Sequence, residues 1–415
     1  MKFSQYRFDQ QIHRNIEAMG FKRPTDIQFK SITPILKGDD LLAIAQTGTG
    51  KTIAFALPIV NIIHENKSSK RSNGVQCLVM VPTRELALQI TEVFESLCKY
   101  TRAKVMCLMG GVEQERQIES LLKGVDIVVA TPGRMFDLNH QGYLQLNDVE
   151  ILVLDEADHM LDLGFVKSIR DLVYKLPKNR QTLFFSATIT PYIKKIAYSL
   201  TDNPIRIQIS PENTVSKNIV HYVTHIPMDD KRFFLERLVK ENPDSKILVF
   251  VRTKVRAERV QKAMERLEII GKTLHGDVLQ KERLSILDEF KKGNFKLLIT
   301  TDVSARGIDI PNVEYVVNYD IPEEPENYVH RVGRTGRGTK KGYAVSFCSD
   351  EEKPLIAAIE EYIGQPVEIM KIEKGDYSET LDFSGETKAD WKTLLKEIQE
   401  FENFKESKGK NKNKR

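Results

Sequence analysis

Short apolar runs alternate along the chain with longer stretches in which apolar residues recur every three or four positions. Runs that are apolar on both faces, set between helical patterns, predict buried parallel strands in a doubly wound sheet. Seven come first: Leu41–Ala45, Cys77–Val81, Val105–Met109, Ile127–Ala130, Ile151–Leu154, Leu183–Phe185 and Ile205–Ile209. Five follow: Ile247–Val251, Lys272–Leu274, Leu297–Ile299, Tyr315–Val317 and Ala344–Phe347. Polar, turn-forming Ser210–Asn218 separates the two series and is expected to be a linker. The expected fold class is α/β, with doubly wound parallel-sheet domains at 1–209 and 219–365, an extension at 366–404 and a basic tail at 405–415. No short-period repeat is visible, so the sequence does not show whether the domains are copies of one another. Trp391, Leu394, Leu395, Ile398 and Phe401 share a helical face, which fits either docking on the second domain or a partner surface.

Composition narrows the class. The 415 residues are 41% hydrophobic and 29% charged, enough apolar material for a sizeable core. No apolar run approaches the roughly 18–20 residues of a membrane span, and Met1–Tyr6 lacks a signal-peptide core. Cys77, Cys98, Cys107 and Cys348 form no CxxC pair, so neither a zinc site nor a disulfide framework is expected. A soluble protein of a reducing compartment, the cytoplasm, follows as the expectation. The net charge of +4 resides in the tail: without the six basic and two acidic residues of Phe401–Arg415, 56 of each sign remain. Only local placement of charge can therefore argue for a nucleic-acid partner.

The chemistry is concentrated in two places. Ala45-Gln46-Thr47-Gly48-Thr49-Gly50-Lys51-Thr52 follows a strand and opens a helix. Its glycines let backbone N–H groups turn around phosphate oxygens, and the helix N-terminus adds positive potential. Lys51 is placed for the β- and γ-phosphates and Thr52 for Mg²⁺, although Ala45 stands where the general pattern has a glycine. The second place is Ile151–Asp158, where a buried strand delivers Asp155, suited to Mg²⁺, and Glu156, suited to accept a proton from water.

With these in place the chain resembles the DEAD-box RNA helicases of superfamily 2, from about Phe3 to Phe347 and in the family's order. Gly20–Gln28 resembles the Q motif, with Phe3 the aromatic upstream of it. Pro82–Ala87, Gly110-Gly111 and Thr131–Arg134 resemble the RNA-contact motifs of the first domain, and Ser186-Ala187-Thr188 the coupling motif. Leu248–Thr253, Gln280-x-x-Arg283, Thr301–Asp309 and His330–Arg337 resemble those of the second. Gly110-Gly111-Val112 and the short basic tail are most similar to the bacterial RhlE-like type. A long RNA-binding C-terminal domain is missing, so no fixed RNA target is expected.

The resemblance implies two RecA-like domains, ATP and Mg²⁺ as cofactors, and hydrolysis on domain closure. It puts Phe3, Arg23, Gln28 and Asp309 with the loop residues Ala45, Thr47, Gly48, Thr49, Gly50, Lys51 and Thr52 around ATP. Gln28 would read the adenine edge and Phe3 would stack on the base. Arg334 and Arg337 would be the charged fingers on the transferring phosphate, while Ser186, Thr188 and His330 would couple the domains. RNA would contact Pro82, Thr83, Arg84, Gly110, Gly111, Thr131, Pro132, Gly133, Arg134, Arg252, Gly276 and Thr301 through its backbone, without reading sequence. Local strand separation, monomeric state with dimers not excluded, and ribosomal precursors or an RNA-decay assembly as partners complete the expectation.

Overall fold

The structure, a computed structural model, describes residues 2–46, 48–67, 74–209, 215, 218–305, 310, 313–336, 341–370 and 380. Thr47, Asp309, Arg337, most of the expected linker, the Trp391 helix and the basic tail lie outside the described residues. Fourteen described strands are numbered in chain order: β1 Leu41–Ile44, β2 Cys77–Met80, β3 Val105–Leu108, β4 Ile127–Ala130, β5 Ile151–Leu154, β6 Gln181–Ser186, β7 Ile205–Gln208, β8 Ile219–His225, β9 Ile247–Phe250, β10 Gly271–Leu274, β11 Leu297–Thr300, β12 Tyr315–Asn318, β13 Gly342–Cys348 and β14 Glu368–Ile369.

They form two seven-stranded sheets, with every pairing between the described strands parallel. The first runs β3-β4-β2-β5-β6-β1-β7 and the second β10-β11-β9-β12-β13-β8-β14. Counted from its own first strand, each sheet has the same order, so the two halves are copies in topology although no repeat is visible in the sequence. Two strands escape the apolar-run criterion: β8, whose Ile219–His225 alternates buried and half-buried positions, and β14, only two residues long.

Burial on both faces explains the apolar runs. Along β1, Leu41 and Ala43 enter one core, with the helix Lys51–Asn66, while Leu42 and Ile44 enter the other. The same alternation carries Leu183 and Phe185 to one side of β6 and Phe184 to the opposite side. Each strand then hands its carboxyl end to a loop on one edge of the sheet, where open α/β folds bind ligands. Because β6 lies between β1 and β5, the loop after β6 stands between the glycine-rich loop and the acidic strand end.

Candidate nucleotide and nucleic-acid site

The glycine-rich loop gets its shape from two left-handed glycines, Gly48 at φ +81° and Gly50 at φ +92°. A Cβ at Gly50 would collide with the Gln28 Nε2, so that position is closed to other residues on two grounds. The Thr49 hydroxyl donates to Gln46 O at 2.7 Å, and the Thr25 hydroxyl to Thr49 O at 2.8 Å. Lys51 opens the following helix, only 7% exposed, and its Nζ has no hydrogen-bond partner among the described residues. A buried ammonium with unfilled donors is costly unless an anion completes it, and a phosphate suits that position.

Gln28 reaches the same loop from the helix Asp26–Lys37. Its Oε1 accepts from Thr25 N at 3.0 Å, and its Nε2 donates to Gly50 O at 3.1 Å. The carboxamide thus caps the helix Asp26–Lys37 and ties it to the phosphate loop. Phe3 is 2% exposed, its ring 6.3 Å from those of Tyr6 and Phe21, in the core beneath the loop. Arg23 is exposed, and Ala45 N donates to Ser186 O, continuing the sheet.

At the end of β5, Asp155 is buried, and burial pushes its carboxyl up to about 6, with Lys51 pulling it back and Glu156 adding to the rise. Burial acts on Glu156 the same way but is outweighed by His159, Lys51 and Arg334, which hold it near 2. Arg334 belongs to the second sheet's half and is itself buried, its Nε donating to His330 O at 3.2 Å. The acid pair thus faces cations from both halves. Asp155 is buried and Thr52 half-buried, and carboxylate and hydroxyl oxygens are the donors that a hard divalent cation takes.

Asp158, not among the expected site residues, joins the acidic loop to the coupling loop. Its Oδ2 accepts from Ala187 N, Thr188 N and the Thr188 hydroxyl at 2.9–3.0 Å, and the Ser186 hydroxyl donates to Thr188 O at 2.8 Å. Its first-three-residue neighbourhood was legible as a motif, but the partner 30 positions away was not.

The expected RNA contacts sort into three groups. Thr83 caps the helix Arg84–Cys98 through Leu86 N at 3.3 Å, whereas Thr131 makes no capping bond before Pro132. Arg134 is half-buried with Nε and Nη1 lacking hydrogen-bond partners, the state of a guanidinium awaiting an anion. Gly133 and Gly276 are open, with nothing near where a Cβ would stand; Pro82 is buried and Thr301 half-buried. Arg252 is exposed, 3.6 Å from Glu323 and 3.8 Å from Glu352.

Arg84 and Gly111 are committed elsewhere. Arg84 Nη1 donates to Gln280 Oε1 at 3.2 Å, and its neighbour Glu85 accepts from Arg283 Nε at 2.9 Å and Gln280 Nε2 at 3.2 Å. Gly111, at φ +80°, is wedged there: a Cβ would stand 2.7 Å from Arg84 Nη1 and 2.9 Å from Gln280 Cβ. Gly111 therefore lets the two halves approach, while Gly110 stands against Arg84 of its own half. Glu85, Gln280 and Arg283 are absent from the expected site list because an acid at a helix start reads as a macrodipole partner.

The DEAD/DEAH box helicase model matches residues 25–196, and the Helicase conserved C-terminal domain model matches 230–339. The chain is 41% identical over 360 residues to the ATP-dependent RNA helicase CshA of Listeria monocytogenes, covering 87% of this chain and 68% of that one. It is 39% identical to the ATP-dependent RNA helicase DbpA of Bacillus subtilis, covering 89% and 76%. Among solved structures it is similar to S. cerevisiae Dbp5 bound to RNA and ADP BeF3, at TM-score 0.81 and 30% identity over 95% of this chain and 99% of that one. Against a variant of Dbp5 bound to Nup159, a Gle1 variant, IP6 and ADP, the score is 0.62, at 29% identity over 95% and 100%.

Proposed function

The chain belongs to the DEAD-box helicase family, and from that premise we infer how its residues serve an ATP-dependent RNA helicase. The observation that carries the reading is the meeting of Lys51, with unfilled donors, and the Asp155–Glu156 pair with Arg334 from the other half. Lys51 binds the β- and γ-phosphates. Thr52 and Asp155 would hold Mg²⁺, which would neutralise phosphate charge when bound. Glu156 orients the attacking water and accepts its proton, and Arg334 brings charge to the leaving phosphoryl group only when the halves close. Arg337 and Asp309 are assigned to the same site by sequence alone. Gln28 spends one N–H and one oxygen lone pair on its two present bonds, and the second of each is what would read adenine.

RNA is the polynucleotide, held by its backbone along Thr83, Thr131–Arg134 and Arg252, Gly276 and Thr301. Arg84, Gly110 and Gly111 serve it by setting the distance between the halves. Closure separates a few base pairs without long translocation. Ribosomal precursors or an RNA-decay assembly are the proposed partners, and the cytoplasm the proposed location; no described helix is long and apolar enough to cross a membrane.

The test is ATP hydrolysis and short-duplex unwinding with RNA or with DNA of the same sequence. Hydrolysis stimulated by RNA alone, and lost in Arg334→Ala, is expected. Equal stimulation by DNA, or an undiminished rate in Arg334→Ala, refutes the reading.

A further inference from the structure

Glu156 has a left-handed backbone, φ 48° and ψ 47°, one of three such non-glycine residues described. That conformation is disfavoured for a side chain with a Cβ, and strain of this kind gathers where geometry serves function. It turns the Glu156 carboxylate over the first turn of the helix Ala157–Asp162, where His159 stands. His159 Nδ1 is 3.5 Å from Glu156 Oε2. The imidazole is 4% exposed, and neither ring nitrogen makes a hydrogen bond among the described residues. Asp158, next in the chain, is no alternative: one oxygen serves the coupling loop and the other takes His159 N. An imidazole buried this deeply without a hydrogen bond among the described residues is costly, and such a group in the middle of a site calls for a reason.

We propose that His159 is a positioning residue for ATP hydrolysis, its Nδ1–H holding one oxygen of the Glu156 carboxylate so that the other faces the attacking water. The inference rests on Glu156 as the proton acceptor. The other charged groups facing Glu156 are Lys51 and Arg334, both cations, with Asp155 beside it in the chain. Phosphate binding claims the two cations, and Arg334 arrives only on closure. His159 lies in the same half, three residues on, and is the donor that stays with the carboxylate in every state of the cleft. A strained backbone aims Glu156, and the imidazole fixes its last side-chain torsion.

The experiment uses the full chain. His159→Phe keeps a ring and removes both nitrogens; His159→Asn places a donor where Nδ1 stood. His159→Phe is expected to lower the RNA-saturated kcat about tenfold, a loss of transition-state stabilisation alone, with KM for ATP and RNA retention in the presence of AMP-PNP within about twofold of wild type. His159→Asn should recover most of the rate. In a Glu156→Gln background, His159→Phe should add no further loss in single turnover, because the two act as one unit. The proposal is overturned if His159→Phe turns over within about twofold of wild type, if KM for ATP rises and RNA retention falls together with kcat in both variants, or if the losses add. Wild-type turnover by Glu156→Gln would instead overturn the reading of Glu156, and the proposal with it.

Discussion

His221, on β8, shows what burial does to one titratable group. It is buried against Tyr328, its Nδ1 2.8 Å from the phenol oxygen, and burial pushes its pKa down from 6.5 to about 4. In the unfolded chain it takes a proton near pH 6.5, while the folded chain resists until about 4. Between those values the unfolded state binds more protons, so stability is complete above pH 6.5 and declines as the pH falls towards 4. At about 1.4 kcal/mol per pH unit the limit for this one group is about 3 kcal/mol. His221→Asn should flatten the dependence of the urea midpoint on pH across that window; an unchanged slope would assign it to the carboxylates. Gln28 teaches the complementary lesson. Its chemistry and its local cap with Thr25 are legible in the sequence, but its bond to Gly50 depends on a helix packing beside a loop 22 residues later.

Among the elements, those set by contiguous residues are the ones the sequence predicts best. The phosphate loop needs only two left-handed glycines and a helix start, all within eight positions. Strands buried on both faces announce themselves as apolar runs, whereas β8 alternates and so resembles a half-exposed segment. The Gly110-Gly111 turn is legible as a place of close approach, but the group that approaches Gly111 beside Arg84 is Gln280, from the other half of the molecule. Gly111→Ala adds a Cβ in a left-handed conformation and into both side chains. The expected outcome is an RNA-stimulated rate reduced about tenfold, with the rate without RNA and the melting temperature nearly unchanged. A variant that keeps full RNA stimulation would show that the halves close without this contact.

For the whole molecule, the decisive feature is the placement of one half against the other. Dbp5 bound to RNA and ADP BeF3 superposes at TM-score 0.81, its variant in the other assembly at 0.62, with near-equal identity to this chain. The chain is thus more similar in structure to the RNA-bound protein than to the variant in the other assembly, and its own two halves meet through direct hydrogen bonds, a closed arrangement. Glu85 and Arg283, both nearly buried and 2.9 Å apart, fasten it. Removing one member of such a pair leaves a charge without its partner in a dry interface, a penalty of about 3–5 kcal/mol on the closed state. Arg283→Ala should therefore weaken RNA retention in the presence of AMP-PNP by about a hundredfold or more, while each half keeps its melting transition. Retention equal to wild type would place the fastening elsewhere.

The sequence by itself determined the reaction chemistry. Phosphate binding and the acidic strand end are each written in a few contiguous residues, and the α/β class follows from apolar runs that need burial on two faces. Tertiary structure alone decided the partners: Arg84 with Gln280 and Glu85 with Arg283 join positions almost 200 residues apart, and no local pattern encodes such a distance. It also decided that the two sheets share one strand order, because order is a property of pairing between strands and leaves no periodic trace in the chain. The imidazole of His159 belongs to both accounts: its place three residues after Glu156 is sequence, and its burial without any other partner is structure.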